Sequence, residues 1–195
     1  MAEVATKYAV CELADVRAEL KIGTLADGTP DLSHDDNIRR IINNISAAVE
    51  SYTGWTFAAR DIAAEKYDGN GCTNLMLKRC PIISVASVYV DDVLIDSDSY
   101  VVYEDIGKLA LIDGTVFTVG RKNVSVTYRC GYERQNMPPE VSGAARTWVV
   151  HRFKVLHEGR QGIVSKSDAG GDSLSFAPGK MPDEVKEILD MYRGL

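Results

Sequence analysis

Over residues 11–22, Leu13, Val16 and Leu20 recur at three- and four-residue steps among the charged Glu12, Asp15, Arg17, Glu19 and Lys21, which predicts a short amphipathic helix. A polar stretch at 23–33 with turn signals at Ala26-Asp27-Gly28 and Pro30-Asp31 ends that pattern. The strongest periodicity follows at 34–52, where Ile38, Ile41, Ile42, Ile45, Ala48, Val49 and Tyr52 mark one helical face. Ser33 is a natural N-cap, Asp35 and Asp36 suit the first turn, and Gly54 suits the left-handed position past the end. The opposite face carries Arg39, Arg40, Asn43, Asn44 and Glu50, a pattern shared by a solvated surface and a subunit contact.

Between 58 and 132 the period becomes strand-like. Segments 62–67, 75–78, 84–90, 99–103, 108–111 and 124–132 are rich in β-branched and aromatic residues, and Asp68-Gly69-Asn70-Gly71, Asp91-Asp92 and Asp113-Gly114 punctuate them with residues that tolerate positive φ. A compact antiparallel β unit is expected. After Pro138-Pro139 the helical period returns through Val141, Ala144, Ala145, Trp148, Val149 and Phe153. Residues 159–180 are polar and Gly-rich, and a connection that long inside a compact domain is usually functional or mobile. A last helix is expected over 182–192, with Val185, Ile188, Leu189 and Tyr192 on one face. The expected class is α+β: a small bundle of about four helices, from 1–57 plus 133–195, interrupted by an inserted antiparallel β domain at 58–132.

The chain has 195 residues, 22 basic and 28 acidic, for a net charge of −6. An acidic balance argues against a protein that wraps nucleic acid, which needs clustered Lys and Arg to displace phosphate counterions. No apolar run reaches the roughly 18 residues of a membrane span and the first ten residues lack a signal-peptide pattern, so synthesis in the cytoplasm is expected. Cys11, Cys72, Cys80 and Cys130 form no C-x-x-C pair and read as free thiols.

Catalytic patterns are missing. There is no G-x-S-x-G elbow and no H-E-x-x-H, Gly179-Lys180 lacks the rest of a phosphate-binding loop, and His151 and His157 are six apart, pointing in different directions on a helix. No catalytic, metal or cofactor site is expected, and no enzymatic activity. One rival pattern is the acidic set Asp91, Asp92, Asp96 and Asp98, which suits a cation site in an enzyme but equally suits solvated turns.

The order of the motifs is more telling than any one of them. Residues 13–22, Leu-Ala-Asp-Val-Arg-Ala-Glu-Leu-Lys-Ile, precede the block Asp35-Asp36, Ile38, Ile41, Ile42, Ala47, Ala48, Val49, Glu50, Tyr52-Thr53-Gly54. Then come Leu77-Lys78-Arg79-Cys80-Pro81-Ile82-Ile83-Ser84-Val85, the run V-S-V-T-Y-R-C-G-Y ending at Tyr132, and the closing Ile188, Leu189, Tyr192, Arg193. In this order they resemble the phage head–tail connector (adaptor) proteins, the group of the HK97 and SPP1 connectors. Most similar are the longer variants with a β insertion, among them the phiE125 and gene-transfer-agent adaptors.

That resemblance implies a structural virion protein of the neck between capsid and tail, made in the host cytoplasm. It implies a dodecameric ring under the portal protein that extends the DNA channel and docks the next connector, stopper or tail-terminator protein, while double-stranded DNA passes through without sequence-specific binding. Arg39, Arg40, Asn43 and Asn44 are then candidates for the contact with neighbouring copies, and Val185, Ile188, Leu189, Tyr192 and Arg193 for the portal contact. The alternative is another phage structural protein, of the tail or attachment apparatus, that binds through the β domain with exposed Tyr89, Tyr100 and Tyr103.

Overall fold

The computed structural model describes residues 8–112, 114–157, 165–167, 173–175 and 181–193. Among the described residues there are four α-helices and antiparallel sheets, an α+β arrangement, and the chain divides into two compact units, one of residues 1–53 and 138–193 and one centred on 54–137.

The helical unit contains α1 (Leu13–Leu20), α2 (Asp35–Thr53), α3 (Pro139–His157) and α4 (Asp183–Asp190). Helix α1 stops in a Schellman closure: Lys21 is left-handed at φ 57°, its amide donates to the Ala18 carbonyl, and the Ile22 amide donates to that of Arg17. Helix α2 begins at Asp35, so His34 rather than Ser33 stands at the N-cap position; the Ser33 amide instead donates to Asp31 Oδ1 at 3.0 Å in an Asx turn. Gly54 ends α2 at φ +81°, as its place in the sequence suggests. Ile38, Ile42 and Val49 of α2 are buried with Val16 of α1, Val141, Ala145 and Val149 of α3, and Val185 and Leu189 of α4. All four helices therefore close on one apolar core. Arg17 and Asp35, both largely buried, form an ion pair that ties α1 to the first turn of α2.

Within α3, Gly143 has nothing within 4 Å of the position a Cβ would take. Gly143→Ala is expected to raise stability by about 0.5–1 kcal/mol by removing backbone entropy from the unfolded chain. A urea midpoint that rises without a change of slope checks this.

The β unit has seven strands: β1 (Arg60–Gly69), β2 (Asn74–Met76), β3 (Ile82–Val90), β4 (Val93–Ile95), β5 (Tyr100–Tyr103), β6 (Lys108–Leu111) and β7 (Gly120–Cys130). They form a four-stranded antiparallel sheet in the order β1-β7-β3-β4 and a three-stranded one in the order β2-β6-β5. Leu75, Leu109, Leu111 and Phe117 share one buried cluster with Val88, Val90, Val124, Val126 and Tyr128, so the two sheets face each other across a common core. β4 was not expected from the sequence. Asp91 and Asp92, at φ 50° and 63°, make the two-residue hairpin turn whose twist suits paired strands, and this puts Val90 opposite Val93. In β1 a bulge at Ala64 (φ 49°) sets two residues of β1, Ala63 and Ala64, against one of β7, Thr127, between the Ile62–Tyr128 and Glu65–Val126 pairs.

Of the polar 159–180 stretch, the backbone forms β8 (Ser165–Ser167) paired antiparallel with β9 (Ser173–Ser175), and the rest lies outside the described residues, as does Asp113 of the expected Asp113-Gly114 turn. Among the described residues no helix is long and apolar enough to cross a membrane.

Candidate functional site

On the outer face of α2, Arg40 and Asn44 are exposed one helical turn apart, whereas Asn43 is half-buried. The Arg39 guanidinium reaches Asp36 Oδ1 at 3.4 Å and its side chain is only 18% exposed, so it is partly committed within its own helix. Of the four residues, Arg40 and Asn44 are the ones offered outward.

The C-terminal candidates divide in the same way. Val185 and Leu189 are fully buried in the helical unit, on α2 and α3, and Ile188 and Tyr192 are half-buried. An amphipathic helix needs a core for its apolar face, and here its own unit supplies it. The Arg193 guanidinium lies 5.1 Å from the Tyr52 ring centroid, and the Tyr52 hydroxyl donates to Asp190 Oδ1 at 2.5 Å, so the end of α4 is fastened to α2. What α4 presents outward is charged: Asp183, Glu184, Lys186 and Glu187, with Met191 beyond them.

Two carboxylates of the acidic set in the β unit, Asp91 and Asp96, are engaged in local structure. The Thr118 hydroxyl and Asn123 Nδ2 donate to Asp91, holding its carboxyl below the usual range. Asp96 caps the 3-10 turn Ser97–Ser99 by accepting the Asp98 amide at 3.3 Å. Among the described residues no three His, Cys, Asp or Glu side chains are grouped to hold a metal ion. Asp91 and Asp96 are thus engaged in the turns that carry them, as a solvated-turn reading expects.

Two groupings lie beyond sequence reasoning. His34 and His157, 123 positions apart, meet with ring centroids 4.5 Å apart, and both pack on Phe153. In the β unit, Glu65 Oε2 accepts from the Tyr67 hydroxyl at 2.5 Å and the Tyr128 hydroxyl at 2.6 Å, and Lys78 Nζ lies 3.6 Å from Oε1. Burial pushes the Glu65 carboxyl up, but the donated hydrogen bonds from Tyr128 and Tyr67, with Lys78 and Arg79 nearby, outweigh it and leave it below its ordinary value. Burial, then the bond to Glu65, pushes the Tyr67 phenol up to about 12, so it stays a donor at any physiological pH. Tyr67 and Tyr128 are both buried, while the Lys78 side chain is exposed.

The remaining outward chemistry is apolar. Tyr89 and Tyr103 are exposed, Tyr100 is half-buried against the core, and Met76, Val93, Leu94 and Val101 are exposed on the same β unit.

The family model for head completion proteins matches residues 26–195. A chain from the neck of an empty gene transfer agent particle, computed with C6 symmetry, shares the fold at a TM-score of 0.67 and 15% identity, covering 100% of this chain and 95% of that one. A chain from the neck of the native particle, computed with C12 symmetry, gives 0.62 at 12% identity, with 100% and 94% covered. A chain from the virion of the native particle gives 0.59 at 14% identity, with 98% and 93% covered. No curated protein matches the chain. With its family match running from the turn before α2 to the C-terminus, the chain belongs to the head completion protein family.

Proposed function

We propose that the protein assembles as a ring of twelve copies beneath the portal protein, extends the DNA channel and docks the next connector, stopper or tail-terminator protein. The family match over residues 26–195 carries this reading, and the C12 and C6 symmetry of the similar neck structures supports the ring. Its work is assembly, without catalysis or cofactor. A subunit with net charge −6, repeated around a tunnel, gives a field that repels phosphate, so DNA slides through without adhering, and added salt weakens that effect. Arg40 and Asn44 on α2 are the proposed contact with a neighbouring copy. The charged outer face of α4, with Arg193, is the proposed portal contact in place of the buried Val185 and Leu189.

Truncation at Lys180 is a poor test of that contact, because it removes Val185 and Leu189 from the core of the helical unit. Reversing exposed charge keeps the core intact. Glu184→Lys with Glu187→Lys is expected to lower co-sedimentation with the phage's own portal ring by at least about tenfold while leaving thermal stability near wild type. Unchanged co-sedimentation would assign the portal contact elsewhere.

A further inference from the structure

The β unit carries two unlike apolar surfaces on different sheets. Strand register puts Met76, Lys108 and Tyr103 side by side across the three-stranded sheet, and Asn74, Ala110 and Val101 in the next row. The alternate residues Leu75, Leu109 and Leu111 point into the core, so these rows form the outer face. Met76 is 56% exposed, Val101 44% and Tyr103 46%, and Ile112 continues the face just past β6. Lys108, the one charged residue at these strand positions, lies with Nζ 3.8 Å from the Tyr103 ring centroid.

The second surface is the β3–β4 hairpin. Tyr89 stands opposite Leu94, Val93 and Leu94 are exposed, and Asp91 and Asp92 form the tip. A groove of about 370 Å³ runs beside it, lined by Ala86, Ser87, Leu94, Ile95, Asp96 and Tyr100 among others. The two edges of the four-stranded sheet are treated differently. β1 has the bulge at Ala64 and charged Asp61 and Lys66, devices that discourage strand addition, whereas β4 reads Val93-Leu94-Ile95 without a charge.

A ring of identical copies needs two different, mutually complementary surfaces on each subunit. One apolar face here bears an ammonium group, and the other is apolar and flanked by carboxylates. We propose that the outer face of the three-stranded sheet, centred on Val101 and Tyr103, packs on the β3–β4 hairpin of the next copy, with Lys108 facing the Asp91 and Asp92 carboxylates. This rests on the ring reading above. It adds a contact between β units to the helical contacts proposed there.

The test uses the full chain on the phage's portal ring, read by sedimentation and negative-stain imaging, with thermal melts as the folding control. Val101→Asp and Leu94→Asp, both at exposed positions, are each expected to cut ring formation at least about tenfold with little change in melting temperature. An equimolar mixture of the two retains one intact pairing and is expected to stop at a dimer. Lys108→Glu is expected to weaken the ring, and Asp91 being fixed by Thr118, Asp92→Lys in the same chain is expected to restore it. If wild type forms rings and both aspartate variants form them equally well, this contact is overturned while the connector reading stands. If Leu94→Asp is inert and only Val101→Asp fails, the hairpin is not the counterpart and the proposal is also overturned. If wild type forms no ring, both readings fall.

Discussion

Glu65→Ala is expected to destabilise the β unit by about 2–4 kcal/mol, because it removes the shared acceptor of two buried phenols, whose hydroxyls, 3.2 Å apart, can then bond only each other and leave one donor without an acceptor. For a unit of this size that is a fall of roughly 10–20 °C in the melting transition. Glu65→Gln keeps an acceptor and should cost less. Replacing all three together, Glu65→Leu with Tyr67→Phe and Tyr128→Phe, should recover much of the loss, since buried polar groups cost most when half their partners are removed. The pH dependence has a definite sign. The folded carboxyl is held below its unfolded value, so its contribution is complete above the unfolded value and is lost as pH falls through the folded one. The stability gap between wild type and Glu65→Gln should therefore narrow below about pH 4, as read by denaturant titration across pH. A gap that stays constant to lower pH would show that the charge contributes nothing.

Gly131→Ala is the second large effect. Gly131 has φ +98°, and a Cβ there would stand 2.7 Å from the Ala58 carbonyl oxygen and 2.9 Å from the Ala59 nitrogen. Those backbone atoms have little room to yield: the Gly131 amide donates to the Pro81 carbonyl at 2.8 Å, the Tyr132 amide to that of Phe57 at 2.6 Å, and the Ala59 amide to that of Tyr132 at 3.0 Å. Strain and collision together should cost about 3–5 kcal/mol or prevent folding. Gly54→Ala is the matched control, since Gly54 also has positive φ (+81°) but nothing within 4 Å. It should cost only the conformational part, about 1–2 kcal/mol. Equal losses in the two variants, measured by urea denaturation, would contradict the collision argument.

These two sites also mark where sequence reasoning succeeds and where it stops. The glycine in V-S-V-T-Y-R-C-G-Y stood out as part of a motif, and the structure supplies its reason: a left-handed residue pressed against a neighbouring backbone. The Glu65 cluster did not stand out. Strict alternation through 62–67 puts Ile62 and Glu65 on opposite faces, but the bulge at Ala64 adds one residue and turns both inward. A bulge leaves little trace in one sequence, although a carboxylate two residues before an inward tyrosine was the available signal.

Helix α2 was readable because its isoleucine spacing, acidic first turn and terminal glycine all agree. β4 was missed because three residues after Asp-Asp give no periodicity to count. For α4, the face Val185, Ile188, Leu189 and Tyr192 looks the same whether it packs on its own unit or on a partner, and only the tertiary contacts decide that Val185 and Leu189 are internal. Likewise, alternation in β5 identifies Val101 and Tyr103 as sharing a face without telling which face meets solvent. The meeting of His34 with His157 is purely tertiary.

The connector account is tested most directly by cryo-electron microscopy of the complete phage particle, with averaging around the head–tail axis. The account predicts density at the neck, in contact with the portal, that this fold fits as a closed ring. Density for this chain at the tail tip or on the capsid surface, with a neck built entirely from other proteins, would contradict it.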